Sequence, residues 1–269
     1  MANFRFDLCN YQILRMEHPS LNKSKNKYIQ GNGAYHELAL VMPVYNEEQC
    51  IAEVVQSWYE ELVRLSIDFR MIVLNDGSQD GTETILKTFA NNHRIDVFNK
   101  KNSGHGPTIL EGYYKAVKSA EWVFQTDSDD EMKPDHFIEL WKRRDQYEAL
   151  FGVRQNRRQT LVRKGISILS RLMIFLLFGK GVKDVNVPYR LIKASLLQRI
   201  IEQIPADMFV PNIIISGALA KAHLPIYNQL IPCEGRKTGI PSLNNMMKLL
   251  KATLKSFWQT ICCWPKIKL

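Results

Sequence analysis

Apolar and polar positions fall into alternating blocks along the first half of this chain, and the period changes from block to block. Residues 38–42 (LALVM) form the continuous apolar run of a strand buried on both faces, ended by Pro43. After that proline Asn46 offers a helix cap, with Gln49 three residues on as in a capping box. Ile51, Val54, Val55, Trp58, Leu62 and Leu65 then share one face of a helix running to about residue 65. FRMIVLNDGSQDGTETILKTFA repeats the scheme as strand, glycine-containing turn and helix; IDVFNKKNSGHGPTILEGYYKAVKS gives a third strand, loop and helix, and EWVFQT a fourth strand. Strands and helices alternating at this spacing predict parallel βαβ units: an α/β fold with a mostly parallel central sheet flanked by helices.

That arrangement gives the polar turns a common address, because ligands of open α/β sheets bind beyond the carboxyl ends of the strands. The turns 43–47, 75–81, 99–107 and 127–131 all fall there. The last of them, DSDDE, places Asp127 and Asp129 one residue apart, with Glu131 at the next alternate place. In an extended segment alternate side chains point the same way, so the three carboxylates can converge on one point. Hard oxygen ligands of that kind suit Mg²⁺ or Mn²⁺. A solvated acidic loop is the competing reading, and the position at a strand end weighs against it. Asp130 and Asp135 read as solvent-facing or capping residues.

In NDGSQDGT, Asp76 ends a strand where it can accept hydrogen bonds from a ligand's base or ribose, while Asp80 and Thr82 read as caps of the next helix. The turn has neither GxGxxG nor GxxxxGK[ST], so neither a Rossmann dinucleotide site nor a P-loop is indicated. His105, between two glycines, reads as ligand-facing or exposed and receives no catalytic or metal role.

Composition changes this picture mainly through charge. The chain of 269 residues is 45% hydrophobic, enough for one large domain. Residues 38–141 carry 9 basic and 18 acidic side chains, whereas residues 142–269 carry 22 basic and 6 acidic ones. The basic half suggests an anionic partner: nucleic acid, a phosphorylated substrate or an anionic membrane surface, with a merely soluble basic surface as the alternative. Five scattered cysteines without CxxC spacing read as free thiols of a reducing compartment.

The N-terminal stretch has no apolar signal-peptide core, and the apolar runs at 166–178 and 208–220 are too short to span a bilayer. These features lead to the expectation of a cytoplasmic protein. A helix over about 160–178 sets Arg163, Lys164, Ser167, Ser170 and Arg171 opposite Ile166, Leu169, Leu172, Met173 and Leu176. It fits either a bilayer interface or packing on the sheet. The basic, tryptophan-containing tail 233–269 fits a membrane-surface segment, a cover for the core or a dimer contact. Residues 1–37 form an extension without an interpretable motif, ahead of a domain over 38–232.

PVYNEEQ, NDGSQDGT, NSGHGPTILEG and DSDDE, in this order and spacing, resemble the family 2 glycosyltransferases of GT-A fold, over about residues 38–195. The nearest branch resembles the dolichyl- or polyprenyl-phosphate sugar transferases. The resemblance implies binding of a nucleotide-diphosphate sugar (UDP-, GDP- or CDP-linked) by Pro43, Tyr45, Glu47 and Asp76, with Asp127 and Asp129 at the metal and diphosphate. It further implies Glu131 as third ligand of Mg²⁺ or Mn²⁺. FGVRQNRRQTLVRKGIS is similar to that branch's G-x-R followed by R-x-x-x-S, implying Arg154, Arg163 and Ser167 at the acceptor's phosphate. VKDVNVPYRLIK resembles its D-x-x-x-G-x-R segment at Asp184 and Arg190, with either a site role or a structural one.

The implied activity is inverting sugar transfer to a polyprenyl phosphate at the cytoplasmic face of a membrane, with no role for nucleic acid. The alternative is extension of a lipid-linked or surface glycan at a sugar hydroxyl, for which Asp130 or Glu131 would serve as base.

Overall fold

A computed structural model of the chain describes residues 35–155, 183–233 and 246–263, together with Gly165, Ile168, Leu172, Phe175, Leu176, Pro265, Ile267 and Leu269. The side chains of 246–253 are not among the described features. The elements run β1 His36–Val44, α1 Ile51–Arg64, β2 Phe69–Asn75, α2 Thr82–Lys87, β3 Ile95–Asn99, α3 His105–Ala116 and β4 Ala120–Thr126. A 3-10 turn, Pro134–His136, leads into α4 Phe137–Lys142, followed by β5 Ala149–Gln155, β6 Tyr189–Lys193, α5 Ala194–Ile201, α6 Pro211–Lys221, β7 Ile226–Pro232 and α7 Met246–Cys263.

The described strands form one seven-stranded sheet in the order β3-β2-β1-β4-β6-β5-β7. β3, β2, β1 and β4 are parallel neighbours, as the alternation of strands and helices predicts. β6 alone is reversed, running antiparallel to β4 and β5, while β5 and β7 pair in parallel. β1 does not stop at Pro43 but pairs through Pro43↔Leu74 and Val44↔Asn75. One missing N–H near a strand end removes a single ladder donor, which the neighbouring pairs tolerate.

The first helix starts later than its capping pattern suggests. α1 begins at Ile51, Cys50 occupies the cap position without a side-chain cap bond, and Asn46 has φ +53°. Its face is as expected: Ile51, Val54, Val55, Trp58 and Leu62 are buried. Trp58 packs on Phe124 of β4 at 5.1 Å between ring centroids, and Phe124 meets Phe137 at 4.7 Å and Tyr189 at 4.8 Å. This aromatic cluster fills one side of the sheet beneath the end of β4 and adds edge-to-face attraction to area burial.

α3 covers the other side, where a Cβ on Gly112 would lie 2.4 Å from Val41 Cγ1. The close approach of helix and sheet therefore needs a glycine at that point. α7 also joins the core, through Cys263, with Ile267 just beyond it. Among the described residues no helix is long and apolar enough to cross a membrane.

Candidate active site

The turns after β1 and β2 are laced together rather than merely adjacent. Asn46 N–H donates to Ser78 Oγ at 2.9 Å and Gln79 N–H donates to Asn46 Oδ1 at 2.8 Å. Glu47 N–H donates to Thr82 Oγ1 at 2.9 Å, and Gly81 N–H donates to Glu48 Oε2 at 2.6 Å. Asn46 is thus a cross-loop tie in the left-handed region that asparagine tolerates, not the helix cap expected of it. Glu47 is buried and Tyr45 stands exposed at the rim of the same turn. Asp80 accepts from Thr82 N–H at 3.1 Å, at the start of α2.

Asp76, expected to meet a base or ribose, has much of its carboxylate engaged by protein. It accepts from Ser103 N–H at 2.8 Å and Gly104 N–H at 2.9 Å, and Lys100 Nζ lies 3.4 Å away. Asp76 therefore clamps the turn that starts α3. Asn75 bridges to Asn99 Oδ1 at 2.9 Å and accepts from Ser78 N–H at 3.2 Å, tying β2 to β3 and to its own turn.

The clamp delivers His105 to the acidic turn. Its Nε2 lies 3.7 Å from Asp127 Oδ1, across the gap between the first turn of α3 and the end of β4. The isolated GHG signal gave no indication of this partner, which only the parallel order of β1 and β4 brings close. Asp127 Oδ1 also accepts from Gln125 Nε2 at 3.0 Å, while Oδ2 has no hydrogen-bond partner among the described residues. Burial pushes the Asp127 carboxyl up to about 6. His105 and Arg154 counter this from nearby, and the negative charges of Asp129 and Glu131 add to it.

The extended alternation expected of Asp127, Asp129 and Glu131 is absent. Residues 128–132 form a bend with Asp130 at φ +56°, and Glu131 N–H turns back to Asp129 Oδ1 at 3.2 Å. Among the described residues no three His, Cys, Asp or Glu side chains form a ready-made metal cage. The donor set still fits a hard divalent ion, which takes one or two carboxylates and completes its shell with phosphate oxygens and water. Asp127 sits at the strand end with about a quarter of its side chain exposed, and Asp129 follows in the same turn.

Arg154, on β5, is held by Asp184 in a two-pronged ion pair, Nε to Oδ2 at 2.8 Å and Nη2 to Oδ1 at 2.9 Å. Although burial opposes it, this pairing keeps the guanidinium pKa above its ordinary value, and the charges of Glu131 and Asp127 act in the same direction. The fork expected to grip a phosphate is therefore shared with Asp184. Arg190 is fully buried, donating to the carbonyls of Val187 at 2.9 Å and Asn212 at 3.1 Å and lying over the Phe151 ring. Arg163 and Ser167 lie outside the described residues.

The sheet order, with its polar turns gathered at the strand ends, defines an α/β protein with a mostly parallel mixed sheet. Its fold resembles that of glucosyl-3-phosphoglycerate synthase from Mycobacterium tuberculosis, a structure solved with Mn²⁺, uridine diphosphate and phosphoglyceric acid. The TM-score is 0.64 at 16% identity, covering 85% of this chain and 78% of that one, and identifies a GT-A fold. The model of glycosyl transferase family 2 matches residues 39–204, and the chain belongs to that family.

The chain is also similar to undecaprenyl-phosphate 4-deoxy-4-formamido-L-arabinose transferases. It is 24% identical to that of Enterobacter sp. (strain 638) over 72% of this chain and 60% of the relative. It is 24% identical to that of Salmonella choleraesuis (strain SC-B67) over 78% and 65%. The chain thus spans under two thirds of the length of these relatives.

Proposed function

We propose that the chain transfers a sugar, with inversion, from a nucleotide-diphosphate donor to a polyprenyl phosphate at an anionic membrane surface. The observation that carries this reading is the meeting of His105, Asp127 and the Arg154–Asp184 pair at one strand-end site. The laced turns Pro43–Glu47 and Asn75–Gly81 line its donor side, with Asp76 holding the loop that presents His105. Asp127 and Asp129 would hold Mg²⁺ or Mn²⁺, with Glu131 within electrostatic reach, and the ion supplies neutralisation of the departing diphosphate. His105 orients the diphosphate, and Arg154, steered by Asp184, orients the acceptor's phosphate together with Arg163 and Ser167. A phosphate acceptor is already an anion and attacks the anomeric carbon without a general base. Membrane contact is supported by two sets of exposed apolar side chains, the helical residues Ile168, Leu172, Phe175 and Leu176, and Leu254, Trp258 and Ile261 on α7.

The test is a transfer assay with purified protein, Mn²⁺, a panel of UDP-, GDP- and CDP-sugars and a short polyprenyl phosphate. Metal-dependent formation of a glycosyl phospholipid, lost in Asp129→Ala, is the expected result. Donor hydrolysis without lipid product would move the acceptor to a sugar hydroxyl. No turnover of any donor would overturn the reading.

A further inference from the structure

Successive residues of β4 face opposite sides of the sheet, so Phe124 enters the aromatic cluster and Gln125 enters the packing between α3 and α6. There Gln125, Tyr113 and Asn212 are each almost wholly buried. Asn212 Nδ2 donates to Gln125 Oε1 at 2.9 Å. The Tyr113 hydroxyl lies 3.3 Å from that same oxygen and 3.2 Å from Asn212 Oδ1, and burial raises its pKa so that it remains a donor. With Oε1 facing these donors, turning the Gln125 amide over would set amine against amine. Its Nε2 is therefore committed to Asp127 Oδ1, at 3.0 Å.

Asn212 is fixed in turn. Arg190 Nη1 donates to its carbonyl at 3.1 Å and reaches Ser216 Oγ at 3.5 Å. Among the described residues no carboxylate pairs with Arg190, so a buried cation braces the far end of the chain of bonds. Two amides and a phenol in a core cost free energy that apolar side chains of the same size would avoid. The member of this group that opens to chemistry is Asp127.

We propose that Gln125 and Asn212 are positioning residues that turn Asp127 Oδ1 inward and leave Oδ2 directed at the divalent cation. Outer partners of this kind fix the orientation of a metal-binding side chain and alter affinity without touching the ion. The inference rests on the assignment of Asp127 as a metal ligand made above.

The experiment measures Mn²⁺ affinity of the full chain by electron paramagnetic resonance, with and without UDP, alongside Tm. Gln125→Leu should weaken Mn²⁺ binding by roughly 10- to 100-fold, and Asn212→Ala by less. The double variant should lose little more than Gln125→Leu alone, since both act through one bond. If Gln125→Leu does not fold, Asn212→Ala carries the same comparison. Mn²⁺ affinity within about twofold of the native protein, with a lowered Tm, would reduce the cluster to core packing and overturn the proposal. A native protein that binds no Mn²⁺ would overturn the metal assignment itself, and this inference with it.

Discussion

Asp184 holds Arg154 by both prongs of its guanidinium, across 30 positions of sequence, and both side chains are largely buried. Removing one member strands the other charge, so Asp184→Ala should cost on the order of 2 kcal/mol of stability. Asp184→Asn keeps the shape and one acceptor but releases the fork. It should raise the KM for the acceptor by about tenfold with a smaller change for the donor, because the proposed function gives Arg154 the acceptor's phosphate. Arg154→Lys should not substitute, since an ammonium cannot make the two-pronged contact. Steady-state kinetics in each substrate, beside thermal unfolding, check all three.

His105 separates chemistry from stability in the opposite sense. Its side chain is 59% exposed, so His105→Ala should leave stability within about 0.5 kcal/mol of the native value. Removing the group beside Asp127 should nevertheless lower kcat/KM for the donor by about tenfold, ~1.4 kcal/mol. Unchanged donor kinetics would return His105 to a surface role.

The glycines flanking His105 differ in what they demand. A Cβ on Gly106 would lie 2.2 Å from the Met208 carbonyl oxygen and 2.3 Å from that of Phe209, both backbone atoms that cannot swing aside. Gly106→Ala should therefore destabilise by about 3 kcal/mol, the upper end for overpacking. Gly104 has φ +94°, and a methyl group there would meet no other atom within 4 Å. Gly104→Ala should therefore cost only the backbone strain of a conformation that is essentially glycine's alone, on the order of 1–3 kcal/mol. Chemical denaturation of the two variants distinguishes clash from strain.

Much of the parallel half of the sheet was legible because its evidence is local. A run such as LALVM, a helix face led by Ile51 and Trp58, and a polar turn after each strand are all visible within twenty residues. What escaped was set by partners far along the chain. Asn46 reads as a cap until Ser78 and Gln79 claim it, 32 and 33 positions away. The carboxylates of DSDDE read as an extended row until the bend at Asp130 is seen. Gln125 and Asn212, 87 positions apart, carry no mutual signal in the sequence at all. The reversed β6 likewise follows from tertiary pairing, not from its own short apolar pattern.

Asp127 makes stability depend on pH with a definite sign. Its pKa is raised from 3.8 to about 6, so between those values the folded chain holds a proton that the unfolded chain has released. Stability of the metal-free protein should therefore fall as pH rises through about 4 to 6. Above that window Asp127→Asn should be the more stable protein, by about 1 kcal/mol or ~3 °C in Tm. Mn²⁺ with UDP should raise the Tm of the native protein but not of the variant, because a ligand stabilises only the fold that binds it. Calorimetry from pH 4 to 8, with and without Mn²⁺ and UDP, reads both effects.

Leu254, Trp258 and Ile261 recur at i, i+4 and i+7 and stay 62%, 70% and 48% exposed, while Ser256, Thr260 and Cys263 bury the opposite face of α7. A row of apolar side chains left in water on a helix with lysines and no acidic residue matches a helix lying in the headgroup region of an anionic bilayer. The full chain should co-sediment with phosphatidylcholine vesicles containing phosphatidylglycerol, less with phosphatidylcholine alone, and less again at high salt. Trp258→Ser should weaken vesicle binding by about tenfold, in line with the ~1.5–3 kcal/mol of burying a large apolar side chain. It should not alter turnover of a water-soluble acceptor, since Trp258 stands on the exposed face of α7. A native dimer that Trp258→Ser dissociates, with vesicle binding unchanged, would assign the row to a second copy of the chain instead.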